Sequence, residues 1–119
     1  MKNEFRQRTK VFASAIIQFY CSLPKGRTEV QVLGKQLLRS GTSVAANYRE
    51  DSRARSDAEF ISKIEQCAQK ADESILWLEL LRDDCDIRVE AMDRLLKEAD
   101  ELIAIFVTMS KNVKSRIKK

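Results

Sequence analysis

The side chains able to do chemistry are spread unevenly along this sequence, and one set of them is ordered. At 100° per residue, Gln36, Arg39, Ser43, Asn47 and Glu50 fall within an arc of about 80° on one helical face. Arg39 and Asn47 each offer several donors and Glu50 an acceptor, which suits a hydrogen-bond network. Gln66 and Glu73, on a helix returning antiparallel, are candidate partners. Three uses compete: a solvated face, an interhelical or intersubunit network that sets register, and an active site. The residues favour the network. Ser43 has Arg39 and Asn47 at i±4, and neither can act as the general base that a serine nucleophile needs. Glu65 and Glu73 could form a carboxylate pair, but a charged surface explains them equally well.

One missing residue type excludes more than any motif includes. There is no His among the 119 residues. That removes His general bases, Cys–His and Ser–His–Asp arrangements, and His-ligated metals. No phosphate-cradling glycine loop or calcium loop occurs. Cys21, Cys67 and Cys85 are odd in number and far apart, with no C-x-x-C. They read as small buried residues in a reducing compartment rather than disulfides or zinc ligands. No catalytic residue, metal or cofactor is expected. No apolar run approaches the ~20 residues needed to cross a bilayer, and no secretory signal is visible. The expectation is a soluble, cytoplasmic, non-enzymatic protein with no membrane partner.

These residues must be held by helices. Phe5, Phe12, Ile16, Phe19 and Leu23 repeat at helical spacing up to the break at Leu23-Pro24-Lys25-Gly26. Thr28 to Gln31 has the T-x-x-Q form of a capping box, opening a second helix with Val30, Leu33, Leu37, Val44 and Tyr48 on one side. Gly34 and Gly41, seven apart inside it, suit close approach of another helix. Ser56-Asp57-Ala58-Glu59 is an S-x-x-E box opening a third, with Phe60, Ile64, Cys67, Ala71, Ile75 and Leu78 in series. Asp86 is a candidate N-cap for a fourth. Its seam reads Val89, Met92, Leu96, Ala99, Ile103, Phe106, Ser110 and Val113. The expected helices span about 4–22, 28–50, 56–82 and 87–114, in a single domain covering 1–119. Short breaks between long helices predict an all-α, antiparallel up-down-up-down four-helix bundle. Leu95, Leu102, Ile105 and Met109 widen the apolar coverage of the fourth helix, and Trp77 does so on the third. They are the candidate interface of a ring-like homo-oligomer, against the plainer reading of a wide core.

The net charge of +4 hides a segregation. Residues 1–10 carry Lys2, Arg6, Arg8 and Lys10 against one acid, and the tail 111–119 carries Lys111, Lys114, Arg116, Lys118 and Lys119 against none. The residues between carry 13 cations against 17 acids. In the expected topology both termini and the loop with Arg53 and Arg55 share one end, and Asp83, Asp84 and Asp86 lie at the other. A basic pole is the footprint of a phosphate-backbone binder, although basic helix ends also complement the macrodipole. No aromatic interleaving at either terminus offers a stacking platform.

The run from Lys35 through Gln36, Arg39, Ser43, Asn47 and Tyr48 to Glu50 resembles the signature of the "four helix bundle protein" family. That family includes proteins encoded by intervening sequences of bacterial 23S ribosomal RNA genes. A second block, Ser56, Glu59-Phe60 and Glu73-Ser74 leading to Trp77-Leu78-Glu79-Leu80-Leu81, fits as well. The resemblance covers about residues 10–110. It implies an antiparallel bundle assembling into a homopentamer, similar in fold to the accessory protein of diversity-generating retroelements, a basic pentameric barrel that binds reverse transcriptase and nucleic acid. It implies no catalytic residues, and marks Gln36, Arg39, Ser43, Asn47, Glu50 and, beside them, Glu73 as positions of structural weight. Relatives often carry Gly after the motif's Glu, where this chain has Asp51. The expected function is a homo-oligomeric binding module for RNA or DNA, the alternative being a structural or protein-docking scaffold.

Overall fold

Three chain reversals divide the protein into four helices. The computed structural model describes residues 2–117, with side chains from Glu4 onward. The helices are α1 (Lys2–Ser22), α2 (Thr28–Asp51), α3 (Asp57–Asp83) and α4 (Glu90–Ile117). Neighbours in sequence are neighbours in space, and α4 closes back against α1. The result is an all-α four-helix bundle, 54 × 21 × 21 Å in extent. Among the described residues there is no strand.

The ends of the helices are set by different chemistry than the pattern suggests. Ser56 does cap α3: its Oγ accepts from the Glu59 amide at 3.1 Å. Thr28 does not cap α2. Arg27 holds the N-cap position without a side-chain cap bond. Gln31 turns back across the α1–α2 turn, donating to the Pro24 carbonyl at 2.9 Å and accepting from the Tyr20 hydroxyl at 3.2 Å. The turn brings these groups closer to Gln31 than the helix start it would have capped. Asp86 is not an N-cap either. It takes a left-handed conformation at φ 57°, and the Ile87 amide donates back to the Leu81 carbonyl at 3.0 Å. That reversal delays α4 to Glu90. Asp51, the residue after the motif's Glu50, ends α2 and is followed by Ser52 in right-handed geometry, so this turn does not need glycine.

The core is one continuous seam. Phe12, Ile16, Val30, Leu37, Ile64, Leu78, Leu81, Met92, Leu102 and Phe106 are its largest fully buried apolar side chains. The register of α4 differs from expectation. Its buried line runs Met92, Leu95, Ala99, Leu102, Phe106, Ser110 and Val113. Val89 lies before the helix and is exposed, and Leu96 and Ile103 flank the seam half-buried. Where two apolar residues are adjacent, spacing alone does not decide which one faces inward. Cys67 and Cys85 are buried as expected, whereas Cys21 is exposed, and all three are free thiols.

Both glycines of α2 face α1. A Cβ on Gly41 would lie 2.7 Å from Cγ1, 2.9 Å from Cγ2 and 3.2 Å from Cβ of Ile16. A Cβ on Gly34 would meet only the ends of Leu23 at 2.8 Å and Tyr20 at 3.0 Å. The β-branched Ile16 cannot swing aside as a leucine tip can. Gly41→Ala is therefore expected to destabilise by about 1 kcal/mol, overpacking exceeding the gain in helix propensity. Gly34→Ala should stay near neutral. Chemical denaturation of the two variants checks the contrast.

Candidate functional site

One end of the bundle collects three separated stretches of sequence: the start of α1, the α2–α3 loop and the end of α4. They line a cavity of about 550 Å³ that is open to solvent. Phe5, Tyr48 and Phe60 supply its aromatic surface, and Arg55 and Arg116 its cations. Asn112, Asp51 and Asp57 add polar groups. Tyr48 is the fixed member, buried and packed on Phe106 with ring centroids 6.1 Å apart. Phe5 and Phe60 are half-buried. These rings come from three elements, 43 and 12 residues apart in the chain, so no local run of sequence shows a stacking platform.

The candidate phosphate contacts separate into free and engaged cations. Arg6, Lys10, Arg53, Arg55, Lys111 and Arg116 are exposed, and among the described residues none of them is ion-paired. Arg8 is engaged. Its guanidinium grips Glu98 at 2.7 and 2.8 Å and reaches Glu101 at 3.1 Å, joining α1 to α4. The hydrogen bonds to Glu98 raise its pKa above the ordinary value, working against desolvation. Arg8 is thus a clasp, not a free phosphate ligand. Lys114 pairs with Glu65 at 2.8 Å, which also removes Glu65 from any carboxylate pair. The Lys2 side chain, Lys118 and Lys119 lie outside the described residues. At the opposite pole most of the cations are ion-paired. Arg82 pairs with Asp83, Arg88 with Asp86 and Arg27 with Glu29, and Arg82 holds the Asp83 carboxyl below its usual range.

The stripe on α2 is not a network within the chain. Gln36 and Arg39 are exposed, and Ser43 and Asn47 half-buried. Among the described residues these four side chains make no hydrogen bond. Glu50 bonds Lys63 at 2.8 Å, and Glu73 only its own helix's Lys70 at 3.4 Å. The stripe runs along the edge of the buried face: Asn47 lies about 20° from the buried Ser40 and Glu50 reaches α3, while Gln36 and Arg39 stay in solvent. The buried polar pair between α2 and α3 is instead Ser40 and Ser74, 2.8 Å apart, with Ser74 also donating to the Lys70 carbonyl at 2.9 Å. Two serines on apolar seams carry no pattern signal beyond their position among buried neighbours.

The candidate interface also divides. Leu95 and Leu102 are 4% and 0% exposed and belong to the core, because α1 and α3 flank α4 on both sides. Trp77 and Met109 are half-buried against the same core. Ile105 alone of the five is not packed against it, although it is half-buried. Among the described residues no three His, Cys, Asp or Glu side chains are grouped to hold a metal ion. No helix there is long and apolar enough to cross a membrane.

The fold and its end-on cavity define an all-α bundle with a cationic pole and no nucleophile–base pair among the described residues. The chain belongs to the 23S rRNA-intervening sequence protein family, whose model matches residues 1–108. It is similar to the crystal structure of a protein of unknown function from the S23 ribosomal protein family of Bacteroides thetaiotaomicron. The two share 33% identity and a TM-score of 0.81, over 89% of this chain and 97% of that one. No curated protein matches.

Two outcomes follow from this geometry. Arg8→Ala should cost about 1 kcal/mol, since a part-buried, charge-assisted clasp is lost, while Arg39→Ala should change the stability of the single, dissociated chain by no more than about 0.5 kcal/mol. Denaturation of both variants at matched concentration checks this. The second concerns Cys67, whose thiol is pushed up from 9.0 to about 12, first by burial and then by Asp51. The folded chain keeps this proton where the unfolded chain releases it. The contribution is therefore full below about pH 9 and is lost as pH rises through about 12. Relative to wild type, Cys67→Ala should show a shallower loss of stability across that window.

Proposed function

We propose that this protein is a non-enzymatic, cytoplasmic homo-oligomeric module that binds nucleic acid, RNA foremost, through its basic pole. The single observation that carries the reading is the gathering of Arg6, Arg53, Arg55, Lys111 and Arg116, exposed and, among the described residues, not ion-paired, around one end of a bundle. Cations at the other end are mostly matched by acids. Free guanidinium and ammonium groups at spacing set by a rigid scaffold can replace counterions along a phosphate backbone. The family's name ties its members to intervening sequences in 23S ribosomal RNA, which makes RNA the first ligand to try.

Oligomerisation is the second part of the proposal. The resemblance to pentameric bundles is supported by the surface between α1 and α4, the loosest of the four helix contacts. A groove of about 430 Å³ opens there, edged by Val11, Ala15 and Ala91. Val11 is 57% exposed, and the half-buried Ile105 lies on the same side of α4 as Glu98, which lines the groove. Helices packed side by side in a ring would point their basic ends the same way and multiply the local charge. Gln36 and Arg39 of the α2 stripe, in solvent in the single chain, would then lie on an intersubunit face.

A filter-binding titration with structured RNA at about 50 and 200 mM salt tests the ligand. Affinity is expected to fall steeply between the two. Lys111→Glu combined with Arg116→Glu should weaken binding at least about tenfold with an unchanged melting curve. Absence of binding at the lower salt would favour a protein-docking scaffold. Light scattering is expected to give the mass of several copies, and a monodisperse monomer would count against the ring.

A further inference from the structure

The cavity at the basic pole is more than a cationic surface. A phosphate backbone alone needs exposed cations, and Arg53 and Lys111 already supply these outside it. The cavity adds aromatic side chains and polar groups of both kinds. Its volume of about 550 Å³ is that of a small-molecule site rather than of a groove tracking a duplex. The half-buried Phe5 and Phe60 line it together with the buried Tyr48. The planes of such rings attract the flat face of a nucleobase, whatever the base. Arg55 and Arg116 carry the charge that a single phosphate requires.

Asp57 and Asn112 narrow the ligand further. Two carboxylates, the buried Asp51 and the exposed Asp57, line the cavity with the two guanidiniums and disfavour a purely anionic ligand such as inorganic phosphate, because they repel what the arginines attract. They suit a ligand that pairs one negative group with hydrogen-bond donors, as a nucleotide does through its base edge or ribose hydroxyls. Asn112 offers a donor and an acceptor to the same edges. A base inside a duplex cannot present its face, whereas an unpaired base can leave the strand and enter a recess.

Resting on the nucleic-acid reading above, we propose that this cavity receives one unpaired nucleotide, its base against Phe5 and Phe60 and its phosphate at Arg55 and Arg116. The protein would thereby prefer single strands, loops or bulges to duplex. The pole's outer cations would hold either form, and the cavity would add affinity only for the unpaired one.

Fluorescence anisotropy with a labelled single-stranded RNA of about 12 nucleotides, and with the same sequence annealed as a blunt duplex, tests this. Wild type is expected to bind the single strand about tenfold or more tightly. Phe60→Leu keeps an apolar side chain on α3 but removes the ring. It should erase that preference while leaving duplex binding unchanged. Asn112→Ala, at an exposed position, should weaken only the single strand and guards against a folding defect in the first variant. Arg53→Ala should weaken both forms alike. Equal binding of the two forms by wild type, or an unchanged preference in both Phe60→Leu and Asn112→Ala, would overturn the cavity assignment and leave the basic-pole reading standing. Binding of neither form would overturn both.

Discussion

Four amphipathic helices joined by turns too short to span the bundle can only run back along one another, because each apolar face must find the next before reaching water. That constraint orders the rest of the molecule. It puts the first residues of α1, the α2–α3 turn and the last turns of α4 at one end, although they are separated by some 50 residues each in the chain. The same reversals gather Phe5, Phe60 and Arg116 around a single cavity. Charge that is only modest in total becomes local because the chain folds its cationic ends together.

The helix pairs are not held equally. α2 and α3 meet through a full apolar seam with the Ser40–Ser74 pair inside it, where each hydroxyl finds a partner and avoids the cost of burial alone. α1 is seated on α2 by contact at Gly34 and Gly41, which lets Ile16 approach the α2 backbone. Against α4, α1 has fewer apolar contacts and an open groove, and the Arg8 clasp with Glu98 and Glu101 spans it. A partly exposed ion pair is a weak fastening compared with a packed seam. The α1–α4 edge is therefore where the single chain is least complete, while its α2–α3 centre is closed.

Much of the fold was legible in the residues. The apolar series of α1 and α3 and the Ser56 cap mark their elements to within one or two residues. Gly34 and Gly41 announce a close helix approach. Legibility failed where several choices satisfied the same local pattern. Leu95 and Leu96, or Leu102 and Ile103, are equally apolar neighbours, and only flanking helices on both sides decided that Leu95 and Leu102 are core. Thr28 and Gln31 matched a capping box, but the Pro24 carbonyl and Tyr20 hydroxyl were nearer partners for Gln31. Arg8 looks like its basic neighbours in sequence, yet it faces two glutamates 90 and 93 residues away.

The sequence by itself determined the class of fold, the exclusion of His-dependent chemistry and the imbalance of charge between termini and body. These follow from composition and from periodicities of a few residues, which act through local backbone geometry. Tertiary structure alone decided which cations are free, that the α2 stripe leaves Gln36 and Arg39 in solvent, and that three aromatic rings share a cavity with two arginines. Those outcomes depend on distances between residues far apart in sequence. Such distances are set by the packing of whole helices, whose rotation about their own axes no short pattern specifies.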